Sequence, residues 1–301
     1  MTRDRLDVIA VSAMVTLTAL WGFQQVAIKV TNAAVSPVFQ SGLRCAGALV
    51  LLLVWCRVRN IALFERDGTL VPGLIAGFLF ASEFAFIYWA LVFTDVGRSI
   101  LFLYSAPFVV AAGAHFLFPN ERLGRAQVIG LLCAFAGLAL AVKDGLSLPS
   151  WRALIGDGMM LLAGILWGVT TLYIKSTKLI KIHPAKTLAY QLAMTALFIP
   201  GALLLGESGI TKFDGLIAAS LAYQIVLVAF ASYLAWFALI RMYPAATLAA
   251  FTFLSPLFAM LSGAIFLNEK IGPALWIALA LVAFGIWLVN RPRAKANVTA
   301  A

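Results

Sequence analysis

Apolar residues in this chain do not alternate with polar ones. They run in blocks of 17 to 25, separated by short polar connections rich in Lys, Arg, Gly and Pro. A hydrocarbon layer about 30 Å thick is crossed by roughly 20 helical residues, and about 17 suffice. That ruler predicts ten spans: Val8–Ile28, Val38–Cys56, Leu70–Phe93, Ser99–Phe118, Ala126–Val142, Ala153–Ile174, Thr187–Leu205, Leu216–Ile240, Ala245–Leu267 and Ile271–Val289. Strands of a membrane barrel would show a polar residue at every second position, and these blocks do not, so the spans read as helices. The expected fold class is an all-α integral membrane protein. The connections are too short for an inserted soluble domain, and the basic tail after Asn290 is too small to be one.

Composition agrees. Of 301 residues, 63% are hydrophobic and 11% charged, with a mean hydropathy of +1.00. An ordinary soluble domain carries about 25% charged residues. A soluble enzyme, a disordered chain and a nucleic-acid binder are thereby excluded. The net charge of +10 sits in clusters between spans, such as Arg57/Arg59 and Lys175/Lys178/Lys181, and forms no phosphate-tracking face. It reads as a topology signal. With the N-terminus inside, fifteen Lys and Arg fall on the cytoplasmic side. Six fall opposite: Lys29, Arg98, Lys143, Arg152, Lys212 and Lys270. Both termini are therefore expected in the cytoplasm. Arg3 and Arg5 before an apolar run could mimic a signal peptide, but the run is 21 residues long and recurs later in the chain. Cys45, Cys56 and Cys133 lie inside spans at spacings that suit neither a metal site nor a disulfide framework. No metal or cofactor is expected.

The two halves repeat one another. Leu20-Trp-Gly-Phe-Gln-Gln-Val-Ala-Ile-Lys29 aligns with Leu166-Trp-Gly-Val-Thr-Thr-Leu-Tyr-Ile-Lys175, and Ser36-Pro37 with His183-Pro184. Ser105-Ala-Pro107 recurs as Leu254-Ser-Pro256, and Asn120-Glu-Arg-Leu-Gly124 as Asn268-Glu-Lys-Ile-Gly272. The offset drifts only from 146 to 149. Residues 1–145 and 146–301 are thus expected to be two five-helix repeats. Five is odd, so the second must enter the membrane from the opposite side. Inverted repeats of this kind build many secondary transporters, with the substrate site near the midplane where the repeats meet. A duplicated scaffold without transport is the alternative from a different class.

The Leu-Trp-Gly…Lys opening of each half, the Arg in the second span and the Asn-Glu-Arg/Lys-x-Gly turn before each last span resemble the drug/metabolite transporter superfamily. The nearer resemblance is to its ten-helix branch with tandem EamA domains, over nearly the whole chain. That resemblance implies export of small metabolites, often amino acids. The aromatic amino-acid exporters of bacterial inner membranes are one such group. Drugs and nucleotide-sugar-like metabolites are the alternative substrates of the same fold. The second-span Arg44 aligns with Gln191, so the repeats are not electrostatically equivalent.

Ionisable residues inside the spans are few: Arg44, Glu83, Asp157 and His115. A charge at the bilayer centre costs at least ~2.5–3.5 kcal/mol and needs protein or water around it. At 1.5 Å per residue Arg44 and Glu83 lie roughly 9 and 15 Å from the outer surface, within reach of one another. They read either as an ion pair fixing the second span to the third or as the groups that engage a zwitterion's carboxylate and amine. If protons drive transport, Glu83 is the expected carrier. Asp157 is expected to reach the interface and His115 to be a packed or interfacial residue.

Trp21 and Trp167 lie deep, each followed by Gly and then by polar residues, with Gln25 and Thr171 among them. Trp55, Trp89, Trp151, Trp276 and Trp287 are placed instead for interfacial belts. Pro107 and Pro256 each remove a helical N–H and free the carbonyl four residues back, at Leu103 and Thr252. Freed backbone at that depth belongs beside protein or a wet cavity, so both prolines read as hinges. Tyr104, Ser105 and Ser255 flank them, and Tyr233 stands near the counterpart of Glu83. The expected substrate-binding set is Trp21, Gln25, Arg44, Glu83, Tyr104, Ser105, Trp167, Thr171, Tyr233 and Ser255.

No H-E-x-x-H, G-x-S-x-G or P-loop is present, so neither an intramembrane enzyme nor an ATPase is expected. A channel would usually be a symmetric oligomer with a filter. The reading is a secondary exporter of small amphipathic metabolites, expected to act as a monomer in a bacterial inner membrane, working by alternating access, with a small-molecule substrate and the lipid bilayer as partners.

Overall fold

The computed structural model describes residues 6–91, 93–94, 96–143, 150–267 and 273–291. The second Asn-Glu turn, Asn268–Gly272, lies outside them, as do Arg3, Arg5, Lys270, Arg293 and Lys295. The described elements are helices, joined by turns and one isolated antiparallel bridge, Val35 to Ile210. In order they are α1 (Val8–Asn32), α2 (Pro37–Val58), α3 (Leu70–Ala90), α4 (Val96–Leu103), α5 (Ala106–Leu117), α6 (Arg125–Val142) and α7 (Trp151–Ser176). Then follow α8 (Pro184–Ala196), α9 (Phe198–Leu204), α10 (Gly215–Ala222), a π-helical stretch Tyr223–Ser232, α11 (Tyr233–Met242), α12 (Ala245–Phe251), α13 (Leu254–Leu267) and α14 (Pro273–Val289).

Among the described residues, nine helical runs of 18 to 28 residues are long and apolar enough to cross a bilayer. The helix Pro273–Val289, 17 residues long, supplies the tenth span. The sequence sets where each starts. Asp7 accepts from the Ala10 amide at 2.9 Å, Ser150 from Ala153 at 3.1 Å and Asp214 from Ile217 at 3.0 Å, satisfying amides that a helix start leaves open. Pro37 and Pro184 open α2 and α8, where a missing N–H costs nothing. Large apolar side chains such as Val54, Phe78, Ile265 and Trp276 are more than half exposed and form the lipid-facing surface.

The halves pack reciprocally. A Cβ on Gly22 of α1 would lie 2.7 Å from the Ser255 carbonyl oxygen and 2.5 Å from Phe258 Cβ on α13. A Cβ on Gly168 of α7 would lie 3.2 Å from the Ala106 oxygen and 2.6 Å from Val109 Cβ on α5. Ser255 and Phe258 are Ala106 and Val109 shifted by 149 residues. Each half's first helix therefore packs on the other half's broken fourth helix. The fifth and tenth spans cross through glycine as well, with a Cβ on Gly130 2.5 Å from the Gly285 oxygen. Lipid tails are as apolar as leucine, so close packing at small residues takes over from the hydrophobic effect in holding helices together.

Both prolines stand where their spans break. The chain leaves the helix at Tyr104–Ser105 and re-enters it at Ala106, with Pro107 in the first turn; it leaves again at Thr252–Phe253, before Pro256. Two further irregularities escape the apolar pattern. The seventh span is interrupted at Leu197, ahead of Pro200, and the eighth widens into the π stretch that ends at Ser232.

Some expectations are corrected. Asp157 does not extend into solvent: it is 3% exposed, ion-paired to Arg98 and bonded by the Thr94 hydroxyl at 2.6 Å. Burial of a carboxylate demands such partners. The Trp55 ring also packs on His183 and Phe230, at 6.1 and 6.0 Å. Trp89, Trp151, Trp276 and Trp287 are exposed as a belt requires. His115 is packed, its Nδ1 accepting from the Leu123 amide at 2.9 Å.

Candidate functional site

The breaks, the deep tryptophans and the buried charges converge on one cavity of about 230 Å³ between the halves. Nine of the ten expected residues line it: Trp21, Gln25, Arg44, Glu83, Tyr104, Trp167, Thr171, Tyr233 and Ser255. Ser105 does not. It stands against Gly164 on α7, where an added Cβ would be 2.5 Å from its hydroxyl oxygen, because the broken backbone turns it into the helix interface.

The aromatic wall is built from both halves. Trp21 packs edge-on to Trp236 at 5.7 Å and beside Tyr233 at 6.5 Å, and its indole N–H donates to Ser232 at 2.8 Å. Ser232 is the last residue of the π stretch, so that irregularity orients both the tryptophan and Tyr233. On the other side Tyr104 packs edge-on to Trp167 at 5.8 Å. Such contacts fix ring orientation and add to apolar burial. The Thr170 and Thr171 hydroxyls donate back to their own helix at 2.7 and 3.1 Å.

Arg44 and Glu83 share the cavity but do not pair. No N···O approach within 4.0 Å joins them, which corrects the ion-pair reading. Both are buried, at 1% and 6% exposure. Nε and Nη2 of Arg44 and Oε2 of Glu83 have no hydrogen-bond partner. Arg44 instead lies 5.0 Å over the Phe84 ring, an attraction through the ring's negative face. A guanidinium and a carboxyl group in one hollow, each with open hydrogen-bonding capacity, are suited to a ligand that carries both signs.

The sequence reading missed Phe80, Phe84, Tyr88, Gln191, Trp236 and Phe237, which line the cavity together with Gln24 and Thr170, the polar residues that follow the deep tryptophans. Phe80, Phe84 and Ile87 recur at helical spacing on α3 beside Glu83, a signal hidden because every face of that span is apolar. Gln191 was legible as the position paired with Arg44 by the repeat.

Contacts join the halves on both faces. On the face where α1 begins, Lys175 is ion-paired to Glu121 and donates to the Tyr243 carbonyl at 2.9 Å. Glu121 also accepts from the Ala245 amide at 2.9 Å, and the Tyr243 hydroxyl donates to Asp7 at 3.0 Å. Lys186 bonds Asp67 at 2.9 Å on the same face. That ammonium and the Thr69 hydroxyl hold the Asp67 carboxyl well below the usual carboxylate range. On the opposite face the Ser36 amide donates to Gly209 at 3.0 Å, and Glu207 accepts from the Val38 and Phe39 amides at 3.2 and 2.9 Å. Behind them Gln40, Gln224, Thr31 and Ser220 form a buried hydrogen-bonded chain.

Comparison with known proteins places this arrangement. The model of the EamA-like transporter family matches residues 8–143 and 154–291. An uncharacterized protein of Pseudomonas aeruginosa is 33% identical over 251 residues, which is 82% of each chain. A probable amino-acid metabolite efflux pump of Salmonella typhimurium is 26% identical across 90% of this chain and 91% of its own. A solved crystal structure superposes with a TM-score of 0.80 over 92% of this chain and 94% of its own, at 19% identity, a likeness of fold alone.

Proposed function

The chain belongs to the EamA-like transporter family and is a multi-pass membrane transporter, and on that premise we propose that it exports small metabolites, neutral and aromatic amino acids foremost. The observation that carries the reading is the aromatic cavity holding unpaired Arg44 and Glu83. A guanidinium suits the carboxylate of an amino acid, a carboxylate suits its ammonium, and the ring-lined remainder suits an apolar side chain. At about 230 Å³ the cavity is smaller than the roughly 300–1,000 Å³ of drug-sized pockets, which favours a metabolite of amino-acid size over a drug or a nucleotide sugar. The Salmonella relative, named for amino-acid metabolite efflux, supports the same class.

In this proposal residues 1–145 and 146–301 are inverted repeats that rock against one another in alternating access, bending at Pro107 and Pro256. The transporter works as a monomer in the bacterial inner membrane, with both termini in the cytoplasm as the basic residues suggest. The test is uptake of radiolabelled amino acids into proteoliposomes at matched and mismatched pH. Uptake of neutral or aromatic amino acids above empty vesicles is expected; none across the panel would sink the reading. If protons drive transport through Glu83, Glu83→Gln abolishes the response to a pH gradient; a response kept in full removes Glu83 as the carrier.

A further inference from the structure

Gln191 stands on α8 at the position that the repeat pairs with Arg44 on α2, 147 residues earlier. It is 1% exposed and borders the cavity, and neither its Nε2 nor its Oε1 has a hydrogen-bond partner. A buried amide with donor and acceptor both unused is an exception in folded proteins and calls for a reason. Arg44 and Glu83 repeat the pattern on the same cavity. The unused atoms of Arg44, Nε and Nη2, are the side-on edge of the guanidinium, the edge that receives both oxygens of a carboxylate. Oε2 of Glu83 is an open carboxyl oxygen on the same cavity, the group that suits an ammonium.

These three side chains come from helices that pack together. α8 lies along both α2 and α3. Gly77 of α3 lets it approach until an added Cβ would be 2.6 Å from the carbonyl oxygen of Tyr190, the neighbour of Gln191. From these packed helices the cavity draws donors suited to a carboxylate, a carboxyl oxygen suited to an ammonium and an amide able to serve both.

We propose that Gln191 is the specificity-determining residue of the site, its amide bridging a carboxylate on Arg44 and an ammonium on Glu83, so that the cavity selects the intact α-amino carboxylate over the amine or the acid alone. This rests on the amino-acid reading above and adds the residue that enforces it. The polar ends of a zwitterion lie a few bonds apart, and one amide spans them with its N–H₂ and its oxygen. A site built to hydrogen-bond a group rejects ligands that lack it, because its own buried atoms are then left unpaired.

The test uses the purified full chain in detergent and the fluorescence of Trp21, Trp167 and Trp236, which line the cavity. L-Phenylalanine, phenethylamine and 3-phenylpropionate are titrated into wild type and Gln191→Met. Wild type is expected to bind phenylalanine about tenfold tighter or more than either analogue, and Gln191→Met to lose most of that gap. Should Gln191→Met fail to fold, Gln191→Glu decides: it keeps an acceptor, loses the donor, and should favour the amine over both carboxylates. An unchanged gap in Gln191→Met, or an unchanged order in Gln191→Glu, overturns the assignment of Gln191 and leaves the amino-acid reading standing. No binding of phenylalanine or of other neutral amino acids by wild type overturns that reading, and this inference with it.

Discussion

Lys175→Met should destabilise the protein by about 3–5 kcal/mol, the typical cost of stripping one partner from a buried ion pair. The side chains of Lys175 and Glu121 are 7% and 8% exposed, so solvent screens neither charge well. In the variant Glu121 keeps the Ala245 amide at 2.9 Å but loses its counter-charge, and the Tyr243 carbonyl loses its donor. Glu121→Gln should cost a similar amount for the opposite reason. It leaves an ammonium with the Tyr243 carbonyl and the Phe118 ring, 5.6 Å away. The double variant Lys175→Met/Glu121→Gln buries no unmatched charge and should be less harmful than the sum of the two, by roughly 2 kcal/mol or more. Thermal unfolding in detergent with a thiol-reactive dye measures this, since Cys45 and Cys56 are buried free thiols that react only when the packing opens. At about 2–4 °C per kcal/mol the single variants should melt roughly 6–20 °C lower. Losses under about 1 kcal/mol, or strict additivity in the double variant, would show that the pair behaves as a surface contact and would refute the reasoning.

Gly130→Val should lose about 1–3 kcal/mol or more, because its Cβ would fall 2.5 Å from the Gly285 carbonyl oxygen and force α6 off α14; wild-type thermal stability of that variant would contradict the close crossing. Trp21→Ala and Trp167→Ala should each impair transport in proteoliposomes while the protein still elutes as a folded species, and normal transport by both would remove them from the site. Asp67 titrates below the ordinary carboxylate range in the fold, so its stabilising bond to Lys186 is present in full above about pH 4 and lost only as pH falls further. Melting temperatures of wild type and Asp67→Asn should accordingly run parallel from pH 8 to 5 and converge in stronger acid; convergence already near pH 6 would contradict this.

Much of the architecture was legible in the sequence because it is written in local, one-dimensional quantities. Block length against bilayer thickness predicted the spans, and four collinear motif pairs predicted the repeat. Pro107 and Pro256 predicted the breaks, because a missing N–H and a bulky ring act on the same helix that carries them. Deep Trp21 and Trp167 and the scarce charges Arg44 and Glu83 pointed to the cavity, because bulk or charge at that depth must face protein or water.

Only the tertiary structure decided which faces meet. In a soluble helix the apolar stripe names the buried side. Here lipid and protein interior are equally apolar, so the sequence of α3 could not reveal that Phe80 and Phe84 face the cavity while Phe78 faces lipid. Pairing was equally hidden: Asp157 finds Arg98 some sixty residues earlier, and Arg44 and Glu83, near in depth, do not pair. Those outcomes depend on the rotation and crossing of helices, set by the small residues at which backbones touch, and the hydropathy of a single span carries no record of them.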